Sequence, residues 1–158
     1  MQRIGFGYDS HTFGADRLLV LGGVPIEHVS GLTGHSDGDA VAHAVIDALL
    51  GATAMGDIGR IFPDTDDRWK NADSMMILRE VRRRLRAAGY RAVNVDVTVV
   101  TELPRITPYV NEMRENLADV LEVSVDAISV KGKTNEKMDA VGAGQGLVVY
   151  AVAAVGDI

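Results

Sequence analysis

Apolar residues recur along this chain in two distinct periods. Positions 2 to 9 read as a strand, and the run Ala92 to Thr101 (AVNVDVTVVT) alternates at period two, which predicts another. Leu18-Leu19-Val20-Leu21 and Val24 to Val29 flank Gly22-Gly23 and predict a hairpin, and Ile128 to Lys131 and Leu147 to Val155 read as further strands. Between them, three stretches carry helical spacing. Apolar residues from Asp39 to Ala54 wrap most of a helical circumference, which predicts a buried helix; a second helix spans Asn71 to Ala88 and stops at Gly89. A third runs from Pro108, a residue suited to a first helical turn, to Leu121. Ser36, three residues before Asp39, resembles a capping box with Asp in place of Glu. Strands and helices interleave without strict alternation. The expected fold is therefore α+β, a two-layer sandwich in which a mixed β-sheet carries helices on one face.

Composition narrows this picture. The 158 residues contain no Pro-, Gly- or Ser-rich divider, so 1–158 reads as a single domain. Apolar residues make up 47% but aromatics only 5%, so the core must be built mainly from Val, Ile, Leu and Ala, and base-stacking surfaces are not expected. A net charge of -6 argues against a nucleic-acid or membrane-surface partner, which requires clustered positive charge. Arg79, Arg82, Arg83, Arg84 and Arg86 crowd the later turns of the second helix, and read as a solvated face suited to the negative end of the helix dipole. The N-terminus shows no cationic stretch followed by an apolar run, and no segment approaches a membrane span, so a cytoplasmic location is the expectation.

Cysteine is absent, so any metal site must use His and carboxylate. Asp9-Ser10-His11, His35-Ser36-Asp37-Gly38-Asp39 and His43 place three of the four histidines beside acidic residues. In an extended segment, residues two apart share a face, so Asp9 and His11 can address one ion, with His43 completing the clamp from the helix. One Asp and two His supply three ligands and leave a fourth position open to a substrate oxygen. Asp39, His43 and Asp47 fall at i, i+4 and i+8 on a helix that is otherwise apolar, so each needs a partner. Asp47 or Asp39 is available as the acceptor that fixes the His43 tautomer. Taken singly, each histidine is equally compatible with a hydrogen-bonded loop or core residue. His35 precedes the helix N-terminus, where free N–H groups favour an anion; it could instead only close the loop.

Further along, Gly56-Asp57-Ile58-Gly59 and Phe62-Pro63-Asp64-Thr65-Asp66 form a long acidic loop without periodicity, the kind of connection that carries function. Lys133-Thr134-Asn135-Glu136 offers an ammonium, a hydroxyl and a carboxylate, groups that hold phosphate oxygens and a magnesium-type ion, although such a tetrapeptide also serves as an ordinary charged turn. Gly142-Ala143-Gly144-Gln145-Gly146 leads into a strand rather than a helix, so it does not satisfy a dinucleotide fingerprint and reads as turn geometry.

The runs GFGYDSH (5–11), GHSDGD (34–39), His43, GDIG (56–59), FPDTD (62–66) and KTNEK (133–137) closely resemble, in order, the 2-C-methyl-D-erythritol 2,4-cyclodiphosphate synthase family. The resemblance implies a homotrimer with active sites at subunit interfaces, each holding zinc and a magnesium or manganese ion. It implies a cytidine diphosphate ester of methylerythritol 2-phosphate as substrate, cyclised with release of CMP in the non-mevalonate isoprenoid pathway. By resemblance, Asp9, His11 and His43 match the zinc ligands and Glu136 the ligand of the second metal. His35 and Thr134 match the transition-state-stabilising pair. Ser36, Asp57, Ile58 and Gly59 match substrate contacts, with Phe62, Pro63, Asp64, Thr65 and Asp66 beside them and Lys133 and Asn135 at the diphosphate. Thr101, Leu103, Pro104, Arg105, Ile106 and Thr107 match a cytidine-side loop supplied by the neighbouring subunit. Two departures stand out. Ala140 and Ala143 replace an aromatic residue and an arginine common in the family, so the resemblance does not extend to isoprenoid-diphosphate binding in the trimer's central cavity; Lys133 and Asn135 stand where threonines are common. A metal-dependent phosphohydrolase and a trimeric module with structural zinc are the alternatives from other classes.

Overall fold

The strands expected at 2–9 and 92–101 lie on either side of the C-terminal strand in a single sheet. The computed structural model describes all residues, 1–158. Strand β1 (Gln2–Gly14) pairs antiparallel with the C-terminal strand β7 (Gly146–Asp157), which pairs antiparallel with β5 (Tyr90–Val100); β5 pairs in parallel with β6 (Ile128–Lys133). A two-residue strand β4 (Gly31–Leu32) edges β1, giving the order β4-β1-β7-β5-β6. The hairpin is a separate two-stranded sheet, β2 (Leu19–Leu21) with β3 (Val24–Ile26). Its second strand ends three residues before the predicted Val29.

Helices α1 (Ala40–Ala52), α3 (Ser74–Ala87) and α4 (Val110–Leu121) cover one face, and α4 lies in the crossover that makes β5 and β6 parallel. The mixed two-layer α+β architecture matches the expectation. The acidic loop is not structureless: it contains a one-turn helix α2 (Ile58–Ile61) and a 3₁₀ turn at Asp67–Trp69, and a further single turn, α5 (Asp139–Gly142), precedes β7. Phe62 is buried, edge-on to Trp69 at 4.8 Å. Of 38 buried core residues it is the sole aromatic, so the interior is aliphatic, as the composition required.

The arginines of α3 are paired rather than idle. Glu80 receives Arg83 and Arg84, which hold its carboxyl down at about 2, and Glu122 receives Arg82 and Arg86. These exposed ion pairs contribute little to stability individually.

What brings α1 onto β1 is a pair of glycines. A Cβ on Gly7 would lie 1.9 Å from Ala44 O, and one on Gly5 1.9 Å from Ala48 O. Only a strand without side chains at these positions lets the helix backbone settle directly on it. The same face of β1 continues into Asp9 and His11, which therefore meet the first turns of α1. Gly7→Ala is expected to lower the thermal midpoint by about 4–8 °C, corresponding to about 2 kcal/mol of overpacking. It should also weaken metal binding, because the helix that carries His43 must retreat; differential scanning calorimetry and a zinc titration check both.

Candidate active site

The strand and the helix converge at Asp9. Its Oδ2 lies 2.7 Å from His11 Nε2 and 3.1 Å from His43 Nδ1, and ligand atoms of the three side chains fall within 4.8 Å of one another. The Thr33 carbonyl, which can only accept, takes the hydrogen of His11 Nδ1, so Nε2 is the nitrogen left for the shared centre. Burial pushes the Asp9 carboxyl up, but hydrogen bonds and charge from the two imidazoles prevail and hold it below the usual carboxylate range. For His11, burial works downward, yet the Asp9 hydrogen bond and charge outweigh it and the imidazole sits above its ordinary value. Three converging donors of this chemistry fit a divalent ion of the zinc type, with one side open.

That open side is a cavity of about 280 Å³. Its walls bring together Asp9, His11, His35, Ser36, His43, Ile58, Gly59, Phe62 and Asp64, with Trp69 and Ile77. Asp57 caps α2 by accepting from Arg60 N, and Asp66 caps the 3₁₀ turn and pairs with Arg68, which keeps its carboxyl low. Pro63 and Thr65 sit between these caps and do not line the cavity.

Asp39 and Asp47 find partners other than the predicted one. Asp39, fully buried, accepts from Gly22 N, Gly23 N and Ala42 N, so it caps α1 and pins the hairpin turn; burial pushes its carboxyl up to about 6 against these donors. The capping residue is thus Asp39 rather than Ser36, its carboxylate accepting from Ala42 N at the start of α1. Asp47 accepts from Ile58 N and ties α2 to α1. Neither carboxylate reaches the His43 ring. His43 Nε2 instead lies 2.9 Å from Ser74 Oγ and 3.1 Å from Ser36 Oγ, and Ser74 donates onward to Asp37.

Sequence reasoning missed Ser74, because a serine after a helix-capping Asp73 carries no signal of its own. It also missed Arg17, whose guanidinium donates to Gly34 O and Ser36 O and holds that loop over the cavity. The fourth histidine, His28, packs on the Phe13 ring at 5.0 Å.

The second group of predicted residues lines a different cavity, of about 360 Å³. Thr101, Leu103, Pro104, Arg105, Ile106 and Thr107 form it together with Lys133 and Thr134. Glu102 joins its two walls by accepting from Asn135 N and Lys137 N. Glu136 lies just beyond the lining; its carboxylate accepts from Thr134 Oγ1 at 2.9 Å, and Glu136 and Lys137 both hold positive φ, 49° and 61°. Such backbone in non-glycine residues is retained where a loop must aim particular groups. The two cavities share no lining residue, so within one chain His35 and Thr134 belong to separate sites.

An α+β sandwich with a three-donor Asp/His centre opening into a cavity defines the class of fold with a candidate divalent-metal site that has three protein donors and one open side. The chain belongs to the YgbB family, whose family model matches residues 2–156. The 2-C-methyl-D-erythritol 2,4-cyclodiphosphate synthase of Chloroherpeton thalassium is 53% identical over 150 residues, covering 95% of this chain and 96% of that one. Among solved structures, the bifunctional IspDF of Campylobacter jejuni superposes with a TM-score of 0.96 at 37% identity; the match covers 100% of this chain and 43% of that longer one. A 2C-methyl-D-erythritol-2,4-cyclodiphosphate synthase in its CDP-bound form gives a TM-score of 0.90 at 36% identity, covering 98% of this chain and 100% of its own.

Proposed function

We infer that this chain is a 2-C-methyl-D-erythritol 2,4-cyclodiphosphate synthase, converting 4-diphosphocytidyl-2-C-methyl-D-erythritol 2-phosphate into the cyclic diphosphate and CMP. Relatives of that name match it at about half identity over nearly full length. The observation in the structure that carries the reading is the Asp9-His11-His43 centre facing a cavity walled by His35, Ser36 and the α2 loop.

In this reaction an oxygen of the 2-phosphate bonds to the β-phosphorus as the bond from that phosphorus to the oxygen bridging to the α-phosphate breaks, and CMP carries that oxygen away. Phosphoryl transfer of this kind asks the protein for in-line placement and charge stabilisation, not for a nucleophile. Asp9, His11 and His43 would hold zinc, and Glu136 magnesium or manganese; such ions would neutralise phosphate charge as Lewis acids. His35 and Ser36 hold the 2-phosphate against the triad, while His35 and Thr134 donate to the equatorial oxygens. Asp57, Ile58 and Gly59 orient the erythritol and ribose hydroxyls, with Phe62 to Asp66 closing the side. Lys133, Thr134 and Asn135 carry the diphosphate, and Thr101 to Thr107, Arg105 included, seat the cytidine.

The two cavities are separate in one chain, so the complete site joins the triad cavity of one subunit to the second cavity of its neighbour in a homotrimer. The sheet face opposite the helices supports this. Ile4 is 76% exposed and Phe6 61%, and with Tyr8, Tyr150 and Val152 they form an uncovered apolar patch on the two central strands, where further copies can pack.

Incubation with the cytidylated substrate, followed by phosphorus NMR, should show the cyclic diphosphate and CMP in equal amounts. Free phosphate in place of the cyclic product would overturn the assignment in favour of a phosphohydrolase.

Proton competition sets the pH dependence of the centre. A protonated His11 cannot ligate, and because its folded-state value lies above the ordinary 6.5, zinc affinity should begin to fall on acidification while the pH is still above 6.5. The loss should reach about tenfold per pH unit once His11 is mostly protonated. Calorimetric zinc titrations across neutrality check the sign and the onset.

A further inference from the structure

Behind the metal centre, His43 Nε2, Ser74 Oγ and the Asp37 carboxylate form a chain of hydrogen bonds that leads away from the cavity. Asp9, His43 and Ser74 stand in the order of a hydrolase triad, but Ser74 is 0% exposed, so no substrate can reach its oxygen. Its role has to be read from the direction of its hydrogen bonds.

Asp37 accepts from Ser74 Oγ, Ser74 N and Asp39 N. An ionised carboxylate has no hydrogen to give, so the single hydroxyl hydrogen of Ser74 goes to Asp37. Ser74 Oγ then faces His43 Nε2 at 2.9 Å as an acceptor, and Nε2 must be the donor. The other nitrogen, Nδ1, is the one directed at Asp9 and the shared centre. Ser36 Oγ also lies near Nε2, at 3.1 Å, but no carboxylate fixes its hydrogen, and Gly38 N donates to it. Only the Ser74–Asp37 pair enforces a direction.

We propose that Asp37 and Ser74 are positioning residues that keep the hydrogen of the neutral His43 ring on Nε2, so that Nδ1 is the nitrogen that presents its lone pair to a divalent ion. For His11 a backbone carbonyl does this job directly. A hydroxyl alone can donate or accept, so at His43 the carboxylate is needed to polarise it. The proposal rests on the Asp9-His11-His43 centre being a metal site, but not on the reaction assigned to it.

The test uses zinc alone. In the ¹⁵N-labelled, zinc-loaded protein, long-range ¹H–¹⁵N spectra should show His43 with a protonated Nε2 and a zinc-shifted Nδ1; a coordinated Nε2 would overturn the proposal. In chelator competition, Ser74→Ala and Asp37→Ala should each weaken zinc binding by about 10–100-fold, and Ser74→Thr, which keeps the hydroxyl, should recover most of the loss. Because the two residues act in series, the double variant should lose no more than Ser74→Ala by itself. Additive losses, or single-variant affinities within about twofold of the parent, contradict a relay acting as a unit. The wild-type spectrum decides the tautomer even where a variant fails to fold, and none of these readouts depends on CMP release.

Discussion

Asp9→Asn is expected to abolish zinc binding at micromolar metal and to reduce CMP release by about three orders of magnitude, equivalent to about 4 kcal/mol. The reason is that Asp9 is the hub of the centre: one of its oxygens faces both His11 Nε2 and His43 Nδ1. Asparagine has nearly the same volume, so the strand and the helix remain packed, but it carries no charge to offset a divalent cation, and one of its two terminal atoms is a donor. With the carboxylate gone, the influence that holds the His11 imidazole above its ordinary value goes too, and its protonation should shift down. Metal analysis by plasma emission, the CMP-release assay and a circular-dichroism melt together separate loss of the ion from loss of the fold. Stoichiometric zinc in Asp9→Asn with unchanged turnover would remove the triad from the mechanism.

Mixing two inactive variants should restore activity. His43→Ala removes a donor from the triad cavity and Glu136→Ala removes the carboxylate beside the second cavity, and each variant alone is expected to be inactive. If every active site joins the triad of one subunit to the Thr134–Glu136 loop of its neighbour, co-expressed chains assorting at random leave about a quarter of the sites with both halves intact. The mixed sample should therefore reach about a quarter of the wild-type rate per site, from a background of essentially none. The separation of the two cavities on one chain is what motivates the experiment. A mixture as inactive as its components would mean that both halves serve the same site within one chain, or that copies do not assemble.

The ligand-type residues were legible because chemistry of this kind depends on residue type and short spacing. Asp9 and His11 share a strand face by the period of two, and Asp39, His43 and Asp47 share a helix stripe by the period of four. What those spacings could not supply was the partner of each group. Asp39 and Asp47 both looked able to orient His43, since all three point the same way, yet Asp39 is consumed by the hairpin turn at Gly22 and Gly23 and Asp47 by the start of α2. The hydroxyl nearest His43 Nε2 belongs to Ser74, 31 residues along the chain and without any local pattern. Strand β1 runs to Gly14 rather than Asp9 because β7 continues to pair with it as far as Thr12, a contact between chain ends that no local window contains.

By itself, then, the sequence determined the main strands and helices, the aliphatic character of the core, the absence of thiolate chemistry and a short set of candidate metal-ligating side chains. All of these follow from local period and side-chain type. Only the tertiary structure decided that Gly5 and Gly7 let α1 descend onto β1 so that three ligands meet, which hydrogen bonds orient their nitrogens, and that the second cavity stands apart from the first. These depend on where distant segments come to rest, and that is set by the packing of the whole chain.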